Sequence, residues 1–202
     1  MDLNKGHNLK ELMTERGSEL HRQVFDEFTR LCLSLKNLDI PTIAEVYGLA
    51  AAAGFQLAMS CDLLVATSKA SFSTPGVKFG VFCTTPGVAL ARNLSAKLSM
   101  RMLLTGEPIG AREALTHGLL SDLVDVDGQD DKKGREALER HVNELVEKIA
   151  HNSRPIVALG KKAFYKQIGR ADIESAYEIG ASAMLDNVKY EDTQSGLKAF
   201  AA

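Results

Sequence analysis

The residues best placed to do chemistry lie in the run Tyr47-Gly48-Leu49-Ala50-Ala51-Ala52-Ala53-Gly54-Phe55-Gln56-Leu57-Ala58-Met59-Ser60-Cys61-Asp62. Apolar, β-branched stretches at 41–46 and 63–67 flank it, so the pattern reads as strand, small-residue turn, helix, strand. A helix starting near Ala53 leaves its first backbone N–H groups without internal acceptors. From Ala50 to Gly54 no side chain exceeds a methyl group, so a ligand carbonyl can approach those donors closely. Donors of this kind stabilise a developing enolate or tetrahedral oxygen, and the positive end of the helix dipole adds to the effect. The same composition also suits a helix start that packs tightly against a neighbour and binds nothing, and the bare pattern leaves both readings open.

Gly48 to Asp62, followed by Ser71-Phe72-Ser73-Thr74-Pro75-Gly76-Val77-Lys78-Phe79-Gly80, resembles the signature of the crotonase (enoyl-CoA hydratase/isomerase) superfamily. Gly6-His7-Asn8-Leu9-Lys10 resembles the end of that family's first oxyanion motif, and Glu191 to Phe200 resembles its C-terminal helix. The resemblance implies an α/β fold with a crotonase-like β-β-α spiral core over 1–126 and a helical C-terminal trimerisation region of the same domain over 127–202. It implies an acyl-CoA thioester as ligand in fatty-acid metabolism, no metal or other cofactor, a homotrimer and a mitochondrial setting. It also implies a leading block of strands and a helix ahead of Lys5 that this sequence lacks. The expectation is a truncated or alternative form, or a sheet with an uncovered edge.

Carried over residue by residue, the resemblance matches the backbone N–H of Lys5 to the first oxyanion donor and that of Ala53 to the second. Lys5 is bulkier than the family's usual small residue and close to the chain end, so a frayed terminal residue is the competing reading. His7, Gly54, Gln56, Gly76, Cys83 and Thr84 fall where the resemblance implies contact with the substrate. Gln56 and Gly76 stand where family hydratases carry two glutamates. An amide neither takes up nor releases a proton near neutral pH, and glycine offers no group at all. Two-carboxylate hydration therefore lacks its chemistry, as does isomerisation through the second carboxylate, and no catalytic residue is assigned.

Few residues offer a substitute. Cys83, with Thr84 and Thr85, precedes Pro86-Gly87; it is a nucleophile only if its thiol is acidified, and otherwise a structural thiol. Asp62 suits backbone capping at the junction of helix and strand. Glu45 is either a displaced carboxylate or the outer face of a strand, and His21 is either a boundary residue or a lone catalyst. Three functions stay open: a thioester binder without standard hydratase activity, an active crotonase-type lyase or isomerase with a displaced acid or base, and a non-catalytic partner subunit of a full-length relative.

The 202 residues, 45% of them hydrophobic, suit one domain with a substantial core. A net charge of −2 with scattered Lys and Arg gives no footprint for nucleic acid. Three cysteines without metal-ligand spacing read as reduced thiols. No apolar run reaches membrane-spanning length. The first residues show no secretory or transit pattern, which keeps a cytoplasmic setting open beside the mitochondrial one. Leu20, Val24, Phe25, Phe28, Leu31 and Leu35 lay an apolar stripe on a helix after Gly17. Short helices are expected over 87–94, 96–104 and 110–117, with a strand at 120–126. A long helix over 132–152 turns Leu138, Val142, Leu145 and Ile149 inward. The next begins at Ser153-Arg154-Pro155. It turns Ile156, Leu159, Ala163 and Phe164 inward and carries Lys161, Lys162 and Lys166, either solvated or reaching for a phosphate. Two more helices follow, over 173–188 and from Glu191.

Overall fold

The computed structural model describes residues 8–201 and divides them into two units. One unit holds residues up to Leu35 together with Thr42–Glu144. The other holds Lys36–Pro41 and the residues from Leu145 onward. Lys5 and His7 lie outside the described residues.

Two small sheets organise the first unit. In one, β1 (Ile43–Val46), β3 (Leu63–Thr67) and β6 (Asp122–Val124) run parallel with β3 in the middle, Ile43 opposite Leu63 and Val65 opposite Asp122. A central parallel strand is covered on both faces, and Val65 and Ala66 are accordingly buried outright. In the other, β2 (Leu49–Ala51) pairs in parallel with β4 (Ser71–Ser73), which pairs antiparallel with the two-residue β5 (Ile109–Gly110). Strand β6 is shorter than the expected 120–126, although Leu120 and Val126 at its flanks are both buried.

Helix α2 (Ala52–Ser60) follows β2 without a loop and is buried on nearly every side. Its Phe55 meets Phe72 of β4 with ring centroids 5.2 Å apart, and both side chains are fully enclosed. Helices α3 (Thr84–Asn93), α4 (Ala96–Thr105) and α5 (Ala111–Thr116) complete the core with Leu90, Met102 and Ala114. The first of these starts three residues before the expected Gly87, because Pro86 falls in its first turn, where a missing N–H costs no helical hydrogen bond.

Asp62 satisfies backbone, as expected. Its Oδ2 accepts from the Thr42 N–H at 2.6 Å and from Thr42 Oγ1 at 2.9 Å, while its own N–H donates to Thr42 Oγ1 at 3.1 Å. This clamp sets the β1–β3 register from outside the ladder. Asp62→Ala should lower the unfolding free energy by about 2 kcal/mol, the usual loss when charge-assisted bonds to a half-buried carboxylate go. A shift in the urea midpoint at unchanged slope would register it.

Helix α1 (Ser18–Asn37) starts after Gly17, whose φ of +83° lies in the left-handed region. Its stripe is covered less than the spacing predicts. Leu20, Val24, Phe28 and Leu35 are half-buried and Cys32 is buried, whereas Phe25 and Leu31 sit on the shoulders and are exposed. Helix α6 (Asp131–Ala150) buries Leu138 and Val142 and half-buries Leu145 and Ile149, as expected.

In the second unit α7 (Arg154–Gln167) packs against α8 (Ile173–Asn187), and α9 (Glu191–Ala201) follows. The lysines of α7 hold the 36–41 segment: Lys161 Nζ donates to the Ile40 carbonyl at 2.9 Å and Lys162 pairs with Asp39 at 2.5 Å. That hydrogen bond and charge hold the Asp39 carboxyl below its ordinary value. Ile156, Leu159 and Ala163 are half-buried, but Phe164, expected inward, is exposed. The covered position falls to Tyr165, one residue and about 100° further round the helix.

Candidate functional site

Strands β2 and β4 are paired so that Ala51 stands opposite Ser73, and both end at that rung. Past β2 the chain turns at once into α2; past β4 it continues through Thr74-Pro75-Gly76. The carboxyl ends of neighbouring parallel strands are where open α/β sheets bind ligands.

The sharp entry into α2 is made by Ala52, whose φ of +49° is the one positive value among described non-glycine residues. Such a conformation strains any side chain and is tolerable here because the side chain is a methyl. Ala52→Gly should therefore raise stability by roughly 0.5–1 kcal/mol, while Ala52→Val should lower it by at least as much. Urea unfolding of the two variants checks both signs.

The helix start that results has no side-chain cap from Ala51 and no acidic residue in its first turn. Its second and third residues are Ala53 and Gly54, both buried, and their N–H groups belong to the four that lack acceptors within a helix. An anion or carbonyl oxygen is the natural complement of such an end.

One turn further on, Gln56 is 7% exposed, and its Oε1 is buried without a hydrogen-bond partner among the described residues. Thr74, directly after β4, is fully buried with Oγ1 in the same condition. Ser99, on α4, is the third such case. Buried polar atoms of this kind are few in folded proteins and each calls for a reason.

Gly76 is a glycine for want of space. A Cβ there would lie 2.3 Å from the Val81 carbonyl oxygen and 2.6 Å from Cys83 Sγ. The loop closes on this residue: the Val81 N–H donates to the Gly76 carbonyl at 3.0 Å, and the Gly76 N–H points to Cys83 Sγ at 3.3 Å. Gly80, at φ +76°, makes the return possible, and Lys78 pairs with Glu107 at 2.7 Å on its outer side.

Cys83 immediately precedes α3, is buried, and belongs to the apolar core. Burial pushes its thiol above the ordinary value, against a smaller pull from the Gly76 N–H. At neutral pH the group stays protonated, the opposite of what a thiolate nucleophile requires. Thr84 opens α3, which packs against α2, and its N–H donates to the Phe82 carbonyl at 2.8 Å.

Thus Ala53, Gly54 and Gln56 share the first two turns of α2, and Gly76 touches Cys83. Other candidates are engaged elsewhere. Glu45 is exposed on β1, His21 Nε2 lies 3.1 Å from the Met13 carbonyl oxygen, and Asp62 holds Thr42. Among the described residues no group of three or more His, Cys, Asp or Glu side chains stands together as a metal site would need, and no helix is long and apolar enough to cross a membrane. The sequence reading missed Thr74 and the strained Ala52. The signal for Thr74 was a small polar residue between a strand and a proline.

A family model, enoyl-CoA hydratase/isomerase, matches residues 4–202. Human "enoyl-CoA hydratase domain-containing protein 3, mitochondrial" is 48% identical over 195 residues, which cover 96% of this chain and 61% of that protein. The chain thus spans about three fifths of the length of the curated relatives it matches. The crystal structure of the human protein superposes with a TM-score of 0.90 at 47% identity, covering 98% of this chain and 74% of that one. An enoyl-CoA hydratase structure from Mycobacterium smegmatis gives 0.89 at 40% identity, covering 97% and 72%.

Proposed function

The chain belongs to the enoyl-CoA hydratase/isomerase family, the crotonase superfamily, and from that premise we propose that it binds an acyl-CoA thioester of fatty-acid metabolism. The thioester oxygen sits at the start of α2 on the Ala53 N–H, the second donor, with the Lys5 N–H as the first. His7, Gly54, Gln56, Gly76, Cys83 and Thr84 line the acyl path. The observation that carries this reading is an uncapped helix start, buried and walled by methyl groups, with a neutral amide one turn beyond it.

The chain does not perform standard enoyl-CoA hydration, because Gln56 and Gly76 occupy the positions where the reaction needs two proton-handling groups. It works in the mitochondrial setting that its relatives' names state, and as a homotrimer. The exposed Tyr177, Met184 and Leu185 of α8 support an assembled state, since large apolar side chains of one helix are rarely left in water. A thermal-shift series of acyl-CoA esters tests the reading: a ligand that binds only the folded form raises the midpoint with concentration. A rise with the esters but not with free acyl chains is expected. No rise with any ester defeats the proposal.

A further inference from the structure

The two strands that end at the candidate site begin at two turns that one helix holds together. Strand β2 starts after Tyr47-Gly48, and β4 starts after Ser68-Lys69-Ala70. Tyr47 Oη donates at 3.0 Å to Oδ1 of Asp131, the first residue of α6. Lys69 Nζ donates to the Gln129 carbonyl at 2.7 Å and reaches Tyr47 Oη and Asp131 Oδ1 at 3.5 Å each. The phenol and the amine hold the Asp131 carboxyl below its ordinary value, so it stays charged at neutral pH. The ion pair is largely exposed and contributes little alone. What locks the turn is the ring. Gly134 is buried on α6, and a Cβ there would lie 2.8 Å from Tyr47 Oη and 3.0 Å from Cε2, so the ring fills the notch that a glycine leaves. The Arg135 guanidinium covers the ring at 4.3 Å from its centroid.

From these turns the hold passes directly to the site. The Tyr47 carbonyl accepts from Thr67 Oγ1 at 2.7 Å and the Gly48 carbonyl from the Ser71 N–H at 3.2 Å, which ties one turn to the other. Each strand is three residues long, which sets its end Cα atoms about 7 Å apart. The first rung, Leu49 opposite Ser71, is set at the turns, and the last, Ala51 opposite Ser73, delivers α2 and the Thr74-Pro75-Gly76 loop. Resting on the thioester reading above, we infer that Tyr47, seated in the Gly134 notch, is a positioning residue that fixes the spacing between the start of α2 and that loop, and so couples α6 to ester binding. It acts through the two strands, and by linkage a ligand at α2 tightens α6 in return.

The test compares the purified parent chain with Gly134→Ala, Tyr47→Ala and the double variant, by urea unfolding, ligand-free hydrogen exchange and isothermal titration with crotonoyl-CoA. Gly134→Ala should keep a urea midpoint near the parent's, since alanine's gain in helix propensity offsets the displaced ring. Its amides over 49–54 should nevertheless exchange faster, and crotonoyl-CoA should bind about fivefold or more weakly. A merely structural role would move stability and leave affinity alone. Tyr47→Ala should lose affinity to a similar extent, and adding Gly134→Ala to it should cost nothing more, because the notch then has no ring to expel. Either parental exchange or parental affinity in Gly134→Ala would overturn the inference, as would additive losses in the double variant. If the parent itself binds no ester, the thioester reading fails and the coupling to binding fails with it. Faster exchange over 49–54 in Gly134→Ala would then still uphold the positioning role of Tyr47.

Discussion

Gly76→Glu is expected to lower the unfolding free energy by about 3 kcal/mol or more and to bring no hydration of crotonoyl-CoA with it. The substitution looks like a repair, since it writes a carboxylate into a position that resembles a catalytic one. The loop that closes on this residue forbids it. Any Cβ lands 2.3 Å from the Val81 carbonyl oxygen, a backbone atom of a residue whose own N–H donates to the Gly76 carbonyl. Gly76→Ala should therefore show most of the same loss without carrying a charge. Adding Cys83→Ala should recover only the part due to the 2.6 Å contact with Sγ, leaving the collision with Val81 in place. Urea unfolding of the three variants reads the stability, and loss of enoyl absorbance reads the turnover. A Gly76→Glu protein as stable as its parent would mean that the loop opens readily and that the steric account is wrong.

Gln56 should separate stability from binding through two substitutions of opposite sign. Gln56→Met replaces a buried, unsatisfied amide with an apolar group of similar length, and should stabilise the free protein by about 1 kcal/mol. Gln56→Glu should destabilise it at neutral pH by about 2–3 kcal/mol, because burial raises the pKa of the new carboxyl above its unfolded value. The sign follows from linkage: a group whose folded pKa is raised contributes its stability fully below the unfolded pKa and loses it as pH rises through the folded value. The stability of Gln56→Glu should therefore recover on mild acidification while the parent shows no matching gain. Urea midpoints across that pH range decide it. A Gln56→Glu protein insensitive to pH would show that the site is wet.

The parts of this fold that were legible in the sequence are those fixed by local chemistry. The run of alanines and glycines could only be a tight entry into a helix, and α2 begins at Ala52, beside the expected Ala53. Asp62 at a helix–strand junction announced a backbone clamp, and the spacing of Leu138, Val142, Leu145 and Ile149 gave the inner face of α6. What escaped was decided by neighbours distant in sequence. Leu49-Ala50-Ala51 has no strand character of its own and becomes β2 because β4 pairs with it. Thr74 is a site candidate only because it is buried directly after β4, whose last residue stands opposite Ala51, the residue before α2. Gly76 read as a chemical vacancy, and its steric meaning needed Val81 and Cys83 folded back upon it. Phe164 and Tyr165 are adjacent, so periodicity alone could not choose between them.

Equilibrium dialysis of the purified chain against crotonoyl-CoA, with chemical assay of the ligand recovered, tests most directly whether the start of α2 holds a thioester without acting on its double bond. The ester should be retained saturably and come back unchanged. Failure to retain it would show that the start of α2 holds no thioester, and recovery as 3-hydroxybutyryl-CoA would show that the chain hydrates it.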